Sequence, residues 1–340
     1  MGEVLNVETR RNPVFDVMKG IGIILMLVGH IPPGETWFHI IYSFHMPLFF
    51  IVAGVFANFD VSLKDALLKD VKRLLLPVLV TMAFVVLLSP LAYADDDNFN
   101  NVIVQLFSVL WLGDAFDTKW GMVSIDSLWF LMALFWARCF FRWIGRCCSR
   151  SQKFQDELIL VVCIGISVMS IKLHSILPKV PFGVLHGLSA LNFYAAGWYL
   201  KRHHLPSWAY LCLVGVWFGA LRFGGIYMVG YQYGCYPIDI LGAIGATWLV
   251  YELSRVLCLH MPRVSKLFRW FGVNSLAILC INTLDRKTNL VRAMKYVLGI
   301  KTTGFPSVMF HYAIELVILL VVVQIAWMRS VYGTKRWNEL

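Results

Sequence analysis

Ten apolar windows recur along the 340 residues, at roughly 14–31, 37–57, 74–93, 126–141, 157–173, 184–200, 208–223, 237–258, 271–285 and 311–332. Hydrocarbon about 30 Å thick offers backbone groups no water to bond, so such segments cross it as helices. The expected fold is all-α: a polytopic membrane protein with about ten transmembrane helices in one bundle, a single domain over residues 1–340. The fourth, sixth and ninth windows are short. Residues 102–113 are apolar but too short to cross, and read as an interfacial or re-entrant helix. Charged residues make up only 15% of the chain, against about 25% in a soluble protein.

The formal net charge is +10. In a soluble chain that excess would raise nucleic acid as a partner. Here the cations fall in alternate loops, and no nucleic acid is expected. Arg10 and Arg11, then Lys64 to Arg73, Arg142 to Lys153, Lys201 and Arg202, Arg255 to Arg269, and Arg329 to Arg336 all belong to one side. The loop over 94–125 is acidic. Basic loops stay cytoplasmic, which predicts a multi-pass protein of the cell (inner) membrane with both termini inside. One loop breaks the pattern. Residues 285–310 carry Arg286, Lys287, Arg292, Lys295 and Lys301 yet should lie outside. Either the ninth span is misplaced or this loop meets an anionic partner.

The first window, PVFDVMKGIGIILMLVGH, holds two groups that lipid tolerates poorly, Lys19 and His30. Eleven residues at 3.6 per turn return to nearly the same azimuth, roughly 16 Å along the axis. One helix face therefore bears an amine near the cytoplasmic boundary, roughly 8 Å inside it, and an imidazole near the outer one. Asp16 lies one turn before Lys19 on the same side, or caps the helix start. The second span runs back from Trp37, so His45 sits roughly 12 Å below the outer surface, level enough with His30 to face it. Pro47 cannot donate to the Ser43 carbonyl, which predicts a kink beside His45. Ionisable groups within spans usually face a bundle interior or a wet cavity. The bland alternatives are a snorkelling Lys19 and an interfacial His30 bonded to a neighbour. Arg138, Arg222, Asp239, Glu252 and Glu315 also lie in spans, with no pattern assigning them to a cavity.

Eight cysteines lie mostly in or beside apolar runs, with no CxxC pair and no ligand spacing with histidine. Neither a disulfide framework nor a metal site is indicated. No cleavable leader is expected, since the first apolar run lacks a small-residue cleavage pattern.

Six segments in order, DVMKGIGIILMLVGH, FHMPLFFIVAGVFAN, KDVKRLLLP, DSLWFLMALFW, FYAAGWYLKR and FGVNSLAIL, resemble membrane acyltransferase family 3. These are ten-span proteins that O-acylate, mostly O-acetylate, sugars of cell-surface polysaccharides. The family's first span carries Arg or Lys, ten residues, then His, matched here by Lys19 and His30. Lysine is the form of the branch resembling the fucose 4-O-acetylase. Three positions depart from the pattern: Ala53 replaces the usual Ser, Asn282 stands where His commonly ends the late motif, and Lys72-Arg73 replaces the two arginines of some branches.

The resemblance implies acetyl-CoA as donor, with the lipid bilayer around it and a glycan or lipid-linked sugar as acceptor. Lys19, Lys72 and Arg73 would hold phosphates as point charges or forks. His30 would act as general base, or carry a transient acetyl group. Asp16, His45, Trp129 and Asn274 would complete the substrate site, although Trp129 and Asn274 equally suit core packing and a helix cap. His45 or Asn274 would steady the oxyanion. Two rivals remain at this point. A proton-coupled transporter or glycan exporter would use Lys19, His30 and His45 as a relay; an assembly subunit would carry a degenerate site.

Overall fold

The computed structural model describes residues 12–30, 35–92, 125–148, 155–177, 180–288, 291, 310–314 and 316–321. The segment over 102–113 and Glu315 lie outside them. Helix α1 (Pro13–His30) starts with proline at its first position, and Asn12 rather than Asp16 caps it, accepting from the Val14 N–H at 3.0 Å. The second span is broken into α2 (Glu35–Tyr42) and α3 (His45–Val55). The break falls at Ser43 and Phe44, where the missing Pro47 donor predicts it. The His45 Nδ1–H donates to the Ile41 carbonyl at 2.8 Å, the acceptor its backbone N–H would use in an unbroken helix.

The third span continues further upstream than its hydropathy shows. Helix α4 (Leu63–Asp70) passes through a π turn (Val71–Leu75) into α5 (Leu76–Ala92). Pro77 lacks the N–H that the Arg73 carbonyl would take, and the Leu76 N–H reaches back to Val71 instead. That turn carries Lys72 and Arg73. Helix α6 (Trp129–Cys148) extends past the 126–141 window through two arginines. Asp70, fully buried, pairs with Arg138 at 2.9 Å and with Arg142, so the helix crosses with those charges satisfied.

The remaining helices are α7 (Gln155–Ile176), α8 (Val184–Ser189), α9 (Leu191–Arg202), α10 (Ser207–Phe223), α11 (Tyr236–His260), α12 (Pro262–Val273) and α13 (Ser275–Thr288). A small antiparallel hairpin, β1 (Ile226–Tyr227) with β2 (Gln232–Tyr233), joins α10 to α11. Its base is tied by Asp239, which accepts from the Gly225 and Cys235 N–H groups at 3.0 and 2.8 Å.

Each of the ten apolar windows coincides with a helix or a broken helix wherever its residues are described. Among the described residues, six helices are long and apolar enough to cross a membrane, or seven if α12 and α13, bent by 62°, form one span. The count falls short of ten because some windows divide. The sixth breaks at Ala190 and the ninth at Asn274, while α10 and the residues of 310–321 are short. The chain is a multi-pass membrane protein.

Small residues decide which helices touch. A Cβ on Gly20 of α1 would lie 1.9 Å from the Phe268 carbonyl oxygen, and one on Gly272 of α12 would lie 1.7 Å from that of Asp16. Helices α3 and α9 repeat the arrangement, with Gly54 against Tyr194 and Gly197 against Ile51. Such reciprocal contacts let backbones approach closely where lipid gives no hydrophobic drive. They fix α1 and α3 as two walls of the interior.

Candidate active site

A cavity of about 950 Å³ runs between these walls. One end is cationic. Lys19 of α1, Lys72 and Arg73 of the π turn, and Arg138 of α6 line it. The Lys19 ammonium pairs with Asp16 at 2.7 Å, and Asp16 is only 1% exposed. Arg269 of α12 stands 4.0 Å from the same carboxylate. Asp16 itself lies behind the wall. The middle of the cavity is apolar, lined by Met26, Phe49, Ala53 and Trp129 among others.

The other end holds His30 and His45, with Tyr42, Asp126, Tyr227 and Arg286. His30 bonds through Nδ1 to the Asn282 side-chain oxygen at 3.2 Å. Because that oxygen only accepts, Nδ1 carries a proton, and in the neutral ring Nε2 keeps its lone pair. Neutral His45 is oriented the same way by Ile41, so its Nε2 is also an acceptor. This makes His45 a partner for a substrate hydroxyl rather than an oxyanion donor. The donors on this wall include the phenols of Tyr42 and Tyr227 and the Arg286 guanidinium. Burial raises the Tyr227 phenol above its ordinary value, so it stays protonated at neutral pH.

Six residues singled out from the sequence thus line one cavity: Lys19, His30, His45, Lys72, Arg73 and Trp129. Asp16 backs Lys19 without lining. Asn274 sits at the break between α12 and α13, and its amide donates to the Trp270 carbonyl at 2.8 Å. It does not reach the wall. Arg138 of the span residues does line it, whereas Asp239 ties the hairpin and Glu252 pairs with Arg255 at 2.9 Å.

Asp126, Asn282 and Arg286, like Tyr42 and Tyr227, escaped the sequence reading as site members. Asn282 was visible only as a departure from a motif, and Arg286 only as a cation on the wrong side. They stand four apart on α13, hence on one face. Asp126, just ahead of the SLWFL run, bonds Arg286 Nε at 3.0 Å. Its φ is 49°, in the left-handed region.

A bundle of membrane helices enclosing a passage, with cations at one end and an oriented imidazole at the other, is built to hold an anionic molecule and move a proton at its far end. The family model described as an acyltransferase domain, Acyl_transf_3, matches residues 12–328. The chain belongs to acyltransferase family 3 and is a membrane acyltransferase, using an acyl donor and an acceptor. No curated protein and no solved structure matches it.

Proposed function

We propose that the protein is an O-acetyltransferase of the cell inner membrane, both termini cytoplasmic, moving an acetyl group from cytoplasmic acetyl-CoA to a hydroxyl of a cell-surface glycan or lipid-linked sugar. One observation carries this reading: Lys19, Lys72 and Arg73 share a single cavity with His30. Lys19 and His30 are separated by roughly 16 Å of helix, a length comparable with an extended pantetheine arm. The phosphates of the donor lie on the three cations, and its arm runs along the apolar middle. The thioester then meets His30.

Asn282 holds His30 with Nε2 as the base. That nitrogen takes the proton of the sugar hydroxyl, and the oxygen attacks the thioester carbonyl. A tetrahedral oxyanion forms and accepts hydrogen bonds from Tyr42 or Tyr227. The C–S bond breaks, the imidazolium returns its proton to the departing thiolate, and ester and free CoA result. His45 Nε2 accepts from a second hydroxyl and sets the sugar's orientation. Lys19 in place of arginine supports a branch resembling the fucose 4-O-acetylase.

The test is mass spectrometry of surface glycan from cells with and without the gene, and with His30→Ala at equal expression. Loss of one acetyl group in both the deletion and the variant is expected. Retained acetylation with His30→Ala removes the base assignment. An exporter would move glycan without consuming acetyl-CoA, and labelled donor added to purified protein reads that difference.

A further inference from the structure

Among the described residues, cations line the cavity at both ends, with apolar side chains between them. Among the described residues, the wall at the Lys19 end carries no carboxylate, and at the His30 end Arg286 and Lys287 stand with Asp126, which takes Arg286 as its partner. One anion, the donor's phosphates, accounts for the first set alone. The second set lies too far along the helix to serve the same group, by roughly 16 Å.

We propose that the His30 end is a subsite for a negatively charged sugar, held by the Arg286 guanidinium and the Asp126 carboxylate beside the rings of Tyr42 and Tyr227. This rests on the acetyl-transfer reading for its role as acceptor site, though not for its chemistry.

The arrangement fits such a ligand group by group. Arg286 commits Nε to Asp126 at 3.0 Å, and the two Nη groups of a guanidinium carry four further donors in a planar fork. That fork matches the paired oxygens of a phosphate or carboxylate. Asp126 also accepts from the Ser127 hydroxyl at 3.1 Å, which fixes the carboxylate within the wall. A carboxylate so placed accepts from sugar hydroxyls. Its left-handed backbone, φ 49°, is a conformation that persists where the surroundings impose it, and such residues gather at ligand sites. Tyr42 stacks on Phe38 with ring centroids 4.0 Å apart, and lies 5.7 Å from Tyr227. This rigid aromatic group offers an apolar face to the C–H side of a pyranose. The breach of the basic-loop pattern at 285–310 acquires a reason, since Arg286 and Lys287 open that stretch.

The negative charge has two possible sources, the phosphate of a glycosyl phosphate or the carboxylate of an acidic sugar. Titration calorimetry on the full-length protein in nanodiscs separates them. The probes are glucose 1-phosphate, glucuronate and methyl glucoside, each with and without saturating CoA to fill the Lys19 end. At least one charged probe should bind tenfold or more tighter than methyl glucoside, with CoA present. Preference for the phosphate or for the carboxylate names the source. Arg286→Gln should bring the ratio of charged to neutral binding to near one. Arg286→Lys, which keeps the charge and loses the fork, should retain part of the ratio. Equal binding of charged and neutral probes by the wild type overturns the subsite. So does a loss in Arg286→Gln that is equal for all three probes, which marks a purely structural pair. Charged probes that bind tightly but are never acetylated from labelled acetyl-CoA strike the acetyl-transfer reading and leave the subsite standing.

Discussion

At the Lys19 end of the cavity, cations stand on buried carboxylates: Lys19 on Asp16, Arg138 and Arg142 on Asp70. At the His30 end the imidazole stands on a neutral amide, Asn282. The difference suits the roles proposed for the two ends. A group that holds phosphate does so as a cation, and a buried carboxylate behind it is its counter-charge. A group that takes a proton must begin without one. A carboxylate behind His30 would favour the protonated ring, whereas an amide oxygen fixes the tautomer and adds no charge. The carboxylate among the described residues on that wall, Asp126, has its own cation in Arg286.

This contrast can be broken most directly at His30. Replacement by alanine should lower kcat by about 10²–10⁴-fold, the range for losing a positioned general base. Folding should be unaffected, since the ring makes one hydrogen bond at a cavity wall. Single-turnover acetylation with labelled donor measures it. His45→Ala should cost less, through KM for the acceptor, if His45 only orients the sugar. Equal losses in kcat would make the two imidazoles a joint base.

The Lys19 end is broken by Asp70→Asn. Removing one member of a buried charge cluster typically costs about 3–5 kcal/mol. Thermal unfolding in detergent should show a clearly lowered Tm, and Asp70→Asn with Arg142→Gln should recover part of it. An unchanged Tm would mean that water already reaches this cluster.

Asn282→Leu sharpens the comparison at the other end. It removes the tautomer-fixing acceptor while leaving volume nearly constant, and should lower kcat about tenfold, 1.4 kcal/mol, with KM for acetyl-CoA unchanged. Asn282→Asp should restore the bond and shift the pH profile of kcat upward, because the added carboxylate favours the protonated imidazole. A KM effect instead would place Asn282 in donor binding.

Much of the fold is legible in the chain because lipid is an unforgiving solvent. Ten apolar windows become helices wherever their residues are described, and Pro47 and Pro77 each announce a break one turn upstream. The pairing of Lys19 with His30 is legible for the same reason, since two costly groups on one helix face need a cavity. The windows that divide at Ala190 and Asn274 carry no proline at the break, so hydropathy reads through them. The partners across the cavity are hidden for a different reason. His30 meets Asn282 across 252 positions, and Asp126 meets Arg286 across 160. Local pattern carries no information at those separations. The glycine contacts that bring the walls together are equally silent, because Gly20 and Gly272 read as ordinary small residues until their helices meet.

The smallest effect expected is at Lys19, and it separates an anchor from a binding group. Its side chain is about one quarter exposed and tied to Asp16 at 2.7 Å. Arg269, 4.0 Å from Asp16, still faces that carboxylate once Lys19 is replaced, so Tm should fall only modestly. Binding is another matter. Lys19→Arg keeps a cation facing the phosphates and should leave KM for acetyl-CoA within about twofold, whereas Lys19→Gln should raise it several-fold, about 1 kcal/mol. In both variants kcat should hold, since the chemistry lies a cavity's length away. The effect should also shrink as salt rises, because screening acts on a charge that solvent reaches. If Lys19→Gln lowers kcat and spares KM, the amine belongs to the reacting centre, and the division of labour between the two ends is wrong.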